Sequence, residues 1–231
     1  MARQLFELAG RDPAHVFSPY CWRARMALAH KGLDHETIPW RFMQKDAIKP
    51  HNSEKVPVLV DGDVSVCDSW AIANYLEDKY PERPSLFGGE GGRAMARMIN
   101  SWSDVSVGQI APLIIADIHA GLDPGDQDYF RRTREKNLGR KLEEAIADRE
   151  QRVEDLRRWL HPLRMTLRAQ PYFGGTSPNY ADYIIFGPFQ WARLTSTFEL
   201  LATDDPIYGW REKLLDMFGG MARNSPAVAA A

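Results

Sequence analysis

Residues 55–69 read KVPVLVDGDVSVCDS, and this stretch decides the fold of the first third of the chain. Two short apolar runs rich in β-branched residues, 56–60 and 64–67, flank an aspartate-glycine-aspartate turn at 61–63. This is the pattern of a β-hairpin. The aspartate and serine at 68–69 are good helix caps and follow directly. The stretch therefore predicts a strand, a tight turn, a second strand and a helix.

A strand, a loop and a helix are predicted upstream of the hairpin. The apolar run 4–9 reads as the first strand, and residues 35–40 can form another. Between them Ser18 is a good N-cap, and Pro19 suits the first helical position, where its missing N–H is not needed. Gly32 suits the left-handed position after the helix. The order βαβ then ββα, sharing the third strand, predicts an α/β domain.

The second half of the chain is predicted to be entirely helical. Proline, glycine and serine are concentrated between residues 81 and 92, as in a domain linker. Beyond it the strand signals stop, and apolar residues, including those from 138 to 167, recur at helical spacing with charges between them. We therefore expect a first domain over 1–84 and an all-α bundle over 93–226.

Composition narrows the function classes. The 231 residues carry 29 basic and 31 acidic side chains, so the net charge of −2 offers no basic face for nucleic acid or anionic lipid. Cys21 and Cys67 are too few for a disulfide framework or a cysteine zinc site, which suits a reducing compartment. The start of the chain lacks a leader pattern, and no window resembles a membrane span. We expect a cytoplasmic protein with a small-molecule partner and no metal.

A candidate anion site lies at the start of the first predicted helix. Ser18 supplies a hydroxyl at the cap, and Arg23 and Arg25 follow within the first turns. Exposed N–H groups and cations at a helix N-terminus favour an anion. The alternative is that Ser18 only caps its helix, as serine commonly does.

Three separated motifs, SPYC at 18–21, KVPVL at 55–59 and DSWAI at 68–72, resemble in order and spacing the N-terminal domain of glutathione transferases. The likeness implies a thioredoxin-like domain followed by a helical domain, glutathione as co-substrate, and a homodimer. The DSW triplet, YPERP at 80–84 and NYADY at 179–183 further resemble bacterial glutathione-dependent β-etherases and related fungal serine-type transferases. In the last motif, asparagine and aspartate have the spacing of a capping box.

The resemblance assigns the thiol-activating role to Ser18, whose hydroxyl would hydrogen-bond the glutathione sulfur and stabilise the thiolate. Tyr20 is a rival donor for the same sulfur. Cys21 occupies the second cysteine position of a redox motif in which Ser18 replaces the nucleophilic first cysteine, which argues against disulfide reductase chemistry.

The resemblance also assigns the residues that bind glutathione. Pro57 would be a cis-proline that leaves the backbone of Val56 free to pair with the cysteinyl part of glutathione. Asp68 would meet the ammonium of the γ-glutamyl end, while Ser69 and the helix N-terminus meet its carboxylate. Lys55 could neutralise a carboxylate of glutathione, although a lysine in a polar loop is usually just solvated.

The implied reaction is attack of the thiolate on an apolar aromatic electrophile bound between the domains. The likeness to β-etherases implies cleavage of β-aryl ethers, whereas a general transferase would accept many electrophiles weakly. Trp40, Trp102, Phe130 and Trp191 are candidates for lining that cleft. A non-catalytic protein that binds glutathione or aromatic ligands is the alternative function. A reductase working through Cys21 is a further rival.

Overall fold

The computed structural model describes residues 2–228, and its first part is a four-stranded sheet with two helices. Its elements are β1 Arg3–Leu8, α1 Pro19–His30, β2 His35–Trp40, β3 Val58–Asp61, β4 Val64–Cys67 and α2 Ser69–Lys79. The second part is helical, with α3 Glu90–Gly121, α4 Pro124–Leu138, α5 Leu142–Ile146, α6 Arg149–Trp159, α7 His161–Ala169, α8 Tyr180–Thr195 and α9 Pro206–Gly220.

The sheet has the strand order β2-β1-β3-β4. β1 runs parallel to β2, with Arg3 opposite His35, and antiparallel to β3, with Leu5 opposite Leu59. β3 and β4 form an antiparallel hairpin. This mixed sheet, followed by a helical unit, confirms the predicted fold class of a thioredoxin-like α/β domain with a C-terminal helical domain.

The predicted caps and turns are present. Ser18 caps α1, and Gly32 follows that helix at a φ of 63°. Gly62 turns the hairpin at a φ of 65°. The Asp68 carboxylate accepts hydrogen bonds from the backbone N–H groups of Trp70 (2.9 Å) and Ala71 (3.1 Å). The local chemistry of the sequence therefore determines where these elements begin and end.

The apolar face predicted over 138–167 is buried in part but does not belong to one continuous helix. Leu142, Val153, Leu156 and other members of the pattern are buried. The chain breaks between α4 and α5 at Gly139, whose φ is 68°, and again between α5 and α6 and between α6 and α7. A residue in the left-handed conformation ends an α-helix. The apolar residues therefore keep their helical spacing in the sequence, although they belong to separate helices whose axes differ in direction.

The long helix α3 differs from a simple core helix. Its outward stripe of Met95, Met98 and Val105 is exposed, whereas Ile110, Ile114 and other residues of its second half are buried. Within residues 2–228, none of the helices combines the length and the apolar character that a membrane crossing requires.

Helix α8 holds the two parts together. Fifteen of its sixteen residues are buried, and it packs against both α1 and α3. A helix that is buried on nearly all sides forms the centre of a core rather than its surface layer. The position of α1, and hence of its N-terminus, is therefore set by a helix of the second part.

The predicted capping box at the start of α8 is confirmed and extends further than the sequence indicated. The fully buried Asp182 carboxylate accepts hydrogen bonds from the backbone N–H groups of Asn179 (3.0 Å), Phe173 (2.9 Å) and Gly174 (2.9 Å). It also accepts one from the Trp210 indole N–H (2.8 Å). One side chain thus fixes the loop before α8 and connects it to α9.

Replacing this carboxylate is expected to destabilise the whole protein. Asp182→Ala leaves the buried Trp210 indole N–H and three half-buried or exposed backbone N–H groups without their acceptor, and the loss at a buried donor costs about 1–3 kcal/mol. We expect the free energy of unfolding to fall by at least about 3 kcal/mol, measured by chemical denaturation. Asp204→Ala, at an exposed position, is the control and should change little. Equal stability of the two variants would contradict this account of Asp182.

Candidate active site

A cavity of about 420 Å³ lies where the sheet domain meets the helical domain. The sheet domain contributes groups around the start of α1, the end of β2 and the loop before β3, and the helical domain contributes side chains of α3, α4 and α8. Its lining includes Ser18, Tyr20, Trp40, Phe42, Lys55, Val56, Val107, Ala111, Ile115, Tyr129, Phe130, Arg134 and Trp191. Within residues 2–228, no group of three or more His, Cys, Asp or Glu side chains is arranged to hold a metal ion.

Ser18 lies in the cavity wall as the N-cap of α1 and is only 5% exposed. Its Oγ accepts a hydrogen bond from the Cys21 backbone N–H at 3.5 Å, which is long for such a bond. Because the hydroxyl acts here as an acceptor, its own proton remains available for donation. Capping and donation to a bound sulfur are therefore compatible.

Tyr20 lines the same cavity, so the structure brings both candidate donors together. Burial raises the pKa of the Tyr20 phenol, and the nearby Asp104 carboxylate adds to this effect. The Arg23 guanidinium lies 4.7 Å from the centre of the Tyr20 ring and acts in the opposite direction. Tyr20 therefore stays protonated near neutral pH and keeps a proton to donate.

Lys55 and Val56 line the cavity from the loop before β3. The peptide bond between Val56 and Pro57 is cis, as the resemblance implied. In the part of the chain that the structure describes, no hydrogen bond involves the backbone of Val56. Pro57 lies behind this loop, where its carbonyl oxygen accepts a hydrogen bond from the Asp68 N–H at 3.2 Å.

Asp68 and Ser69 lie at the start of α2, beside the loop that carries Val56 but outside the lining of the cavity. Asp68 is exposed and adopts a φ of 79°, an unusual conformation for a residue other than glycine. Ser69 is only 2% exposed, and its carbonyl oxygen accepts a hydrogen bond from the Tyr180 phenol at 2.7 Å. These two residues thus form an edge of the site next to its main cavity.

Three of the four predicted aromatic candidates, Trp40, Phe130 and Trp191, line the cavity. The prediction is wrong for Trp102, which stacks on Trp159 with ring centres 5.7 Å apart and planes 4° apart. Helical spacing identified an aromatic residue there but could not indicate which side of α3 it faces.

The sequence reasoning missed Phe42, Lys45, Tyr129 and Arg134, which also line the cavity. Phe42 follows β2, whereas Tyr129 and Arg134 belong to α4. No motif or periodicity connects these distant segments. Their proximity depends on Asp126, a buried residue of α4 whose carboxylate accepts hydrogen bonds from the backbone N–H groups of Phe42 (2.9 Å) and Met43 (3.0 Å).

Two family models match the chain: Glutathione S-transferase, N-terminal domain, over residues 14–84, and Glutathione S-transferase, C-terminal domain, over residues 94–208. Glutathione S-transferase 4 of Zea mays is 30% identical over 172 residues, which cover 72% of this chain and 70% of the relative. The chain belongs to the glutathione S-transferase family. Glutathione S-transferase Z1 of Arabidopsis thaliana is 49% identical over 69 residues, but that match covers only 28% of this chain and 31% of the relative.

Solved glutathione S-transferases share the whole fold. The enzyme of Ceriporiopsis subvermispora, crystallised in complex with glutathione, is 25% identical and has a TM-score of 0.82, with all of both chains covered. A glutathione transferase of Phanerochaete chrysosporium is also 25% identical, with a TM-score of 0.77 over 96% of this chain and 93% of that one.

Cys21 is expected to be chemically inert in this glutathione S-transferase. It is fully buried, and burial raises the pKa of its thiol to about 12. The thiolate is the reactive form, so almost none is present near neutral pH. We expect iodoacetamide at pH 8 to leave Cys21 unmodified in the folded protein and to modify it after denaturation, as measured by peptide mass spectrometry. Rapid alkylation of the native Cys21 would revive the reductase hypothesis.

The position of Ser18 is expected to depend on a glycine in α8. A Cβ added at Gly187 would lie 2.4 Å from the carbonyl oxygen of Pro19, so the first turn of α1 would have to move. We therefore expect Gly187→Ala to weaken glutathione binding and to lower the melting temperature. Gly209→Ala, in α9, is the control because an added Cβ there meets nothing within 4 Å. Unchanged glutathione affinity in Gly187→Ala would show that α1 does not depend on this contact.

Proposed function

We propose that this protein is a serine-type glutathione transferase that ionises the thiol of glutathione and directs it at an aromatic electrophile. The observation that carries the proposal is the Ser18 hydroxyl, which lies at the N-terminus of α1 in the wall of the cavity between the domains. Membership of the glutathione S-transferase family and the glutathione complex of a structural relative support the choice of co-substrate.

Ser18 acts as a hydrogen-bond donor to the sulfur, not as a nucleophile. A free thiol has a pKa of about 8.5, so a shift of about two units, or roughly 2.7 kcal/mol, makes it mostly thiolate at neutral pH. The hydroxyl and the N–H groups at the start of α1 both favour the anion. Tyr20, protonated in the same wall, is the alternative donor.

The remaining contacts to glutathione are made by the loop before β3 and by the start of α2. The unpaired backbone of Val56 binds the cysteinyl part of glutathione as an added strand does, with Pro57 holding the loop behind it. Asp68 binds the γ-glutamyl ammonium, and Ser69 with the N-terminus of α2 binds the adjacent carboxylate. Lys55 neutralises a glutathione carboxylate from the cavity wall.

The electrophile binds against the aromatic wall formed by Trp40, Phe130 and Trp191. In the β-aryl ether form of the reaction, the thiolate sulfur bonds to the carbon beside a ketone. The bond from that carbon to the aryl oxygen breaks, and the aryloxide leaves with the electron pair and takes a proton from solvent. The resemblance to β-etherases in the DSW, YPERP and NYADY motifs supports this form.

A homodimer and a cytoplasmic location complete the proposal. The exposed apolar side chains of Met95, Met98 and Val105 form a stripe on α3 that suits a subunit interface. Cys21 and Cys67 are both free thiols, which suits a reducing compartment.

The proposed function predicts a depressed thiol pKa for bound glutathione. A pH titration of thiolate ultraviolet absorbance should give a pKa about two units below the free value in the wild type. In Ser18→Ala the pKa should rise toward the free value, and kcat/KM at neutral pH should fall roughly tenfold or more, because each unit of pKa is a factor of ten in thiolate.

Ser101→Ala, at an exposed position on α3, is the matched control and should behave as the wild type. A loss of the shift in Tyr20→Phe but not in Ser18→Ala would assign the donor role to the phenol. Glutathione binding without any shift in the wild type would overturn the transferase and favour a non-catalytic ligand-binding protein.

A further inference from the structure

A half-buried cation without an acidic partner lies on the electrophile side of the cavity. Arg134, on α4, lines the cavity, and its guanidinium carbon lies 4.7 Å from the ring centre of Phe130 and 5.3 Å from that of Phe42. The two rings thus hold the guanidinium by cation–π contacts. The aromatic residues favour the charge but supply no hydrogen-bond acceptor in the plane of the guanidinium.

Most of the hydrogen-bonding capacity of Arg134 is unused within residues 2–228. Nη1 donates a hydrogen bond to the hydroxyl of the adjacent Thr133 at 3.0 Å, and the Tyr129 phenol oxygen accepts another, but no carboxylate pairs with the group. A guanidinium has five N–H donors. Burial lowers the pKa of Arg134, yet arginine remains charged at neutral pH. The N–H groups of Arg134 that have no acceptor therefore belong to a side chain that stays positively charged.

A neighbouring arginine on the same helix shows the contrast. Arg131 forms ion pairs with Glu135 at 2.9 Å and with Glu143 at 2.7 Å. The arginine that faces away from the cavity is thus neutralised by the protein, whereas the arginine in the cavity is not. Acidic side chains thus lie within reach of one arginine of α4, but none pairs with Arg134 in the described part of the chain.

The side chains that line the cavity carry a net positive charge. Its charged lining groups are Lys45, Lys55 and Arg134 against one carboxylate, Glu54, in the part of the chain described. Lys45 also lies close to the aromatic wall, with Nζ 5.5 Å from the ring centre of Tyr129. An anion in the cavity therefore meets an excess of positive charge.

The cation is also held in place. Phe42 is fixed because the buried Asp126 carboxylate accepts hydrogen bonds from its backbone N–H and from that of Met43. Phe130 lies one turn further along the same helix and is itself buried. Because both stacking rings are anchored, the guanidinium is presented in a defined orientation rather than on a mobile side chain.

We propose that Arg134 recognises a carboxylate on the aromatic electrophile, so that the preferred substrates are anionic aromatic compounds. The ring of the substrate packs against the aromatic wall while its carboxylate accepts two parallel hydrogen bonds from the guanidinium. The inference rests on the proposed transferase function and specifies its substrate class.

A matched pair of substrates tests this, namely 4-chloro-3,5-dinitrobenzoate and its methyl ester. In both, the glutathione sulfur bonds to the ring carbon as the carbon–chlorine bond breaks, and chloride leaves with the electron pair. We expect Arg134→Gln to raise KM for the acid roughly tenfold or more while changing KM for the ester little. Arg134→Lys, which keeps the charge but not the fork, should fall between.

Arg132→Gln is the control, because Arg132 is exposed on the same helix and does not line the cavity. It should leave both substrates unaffected. An equal change in KM for acid and ester in Arg134→Gln would overturn the inference while leaving the transferase function intact. Arg134→Lys supplies the decisive comparison should the glutamine variant fail to fold.

Binding separates the two proposals. Calorimetry with 3,5-dinitrobenzoate, which has no leaving chloride, measures recognition in the presence of glutathione without turnover. Binding that weakens about tenfold in Arg134→Gln would support the inference even if bound glutathione showed no shift of its thiol pKa, an outcome that would overturn only the transferase function. Absence of binding to the wild type, or binding indifferent to Arg134→Gln, would overturn the inference.

Discussion

The arrangement of the two domains depends on a single buried cation, Arg23. This side chain of α1 is fully buried and donates hydrogen bonds to the Ile184 carbonyl oxygen (3.2 Å), the Asn100 side chain (3.2 Å), the Ser103 hydroxyl (3.0 Å) and the Asp104 carboxylate (2.9 Å). A buried charge is tolerated only when it is paired and hydrogen-bonded. The hydrogen bonds of this guanidinium therefore fix the positions of α1, α3 and α8 relative to one another.

That relation defines the site, because the same helix carries both Arg23 and the cap residue Ser18. The close approach of Gly187 to Pro19 holds the first turn of α1 from the other side. The polar half of the cavity is thus positioned by the helical domain, although its residues come from the sheet domain. The helical domain also positions part of the aromatic lining, because the Asp126 carboxylate of α4 accepts a hydrogen bond from the backbone N–H of Phe42 in the loop after β2.

The sequence was informative where the chemistry is local. Ser18, Pro19 and Gly32 mark the limits of α1, and the DGD turn marks the hairpin, because each conformation depends on neighbouring residues alone. Periodicity located the helical domain but not the break at Gly139 or the outward face of Trp102. Arg134 and Phe42 could not be brought together from sequence, because their contact depends on tertiary hydrogen bonds between segments with no shared pattern.

The deep burial of α8 has a consequence for the order in which the protein is made. The partner that completes the environment of Arg23 is Ile184, which is 161 residues further along the chain. During synthesis the sheet domain leaves the ribosome long before the helix that covers α1 exists. Domains generally fold as they emerge, but here the first domain reaches its final packing only after nearly the whole chain has been translated.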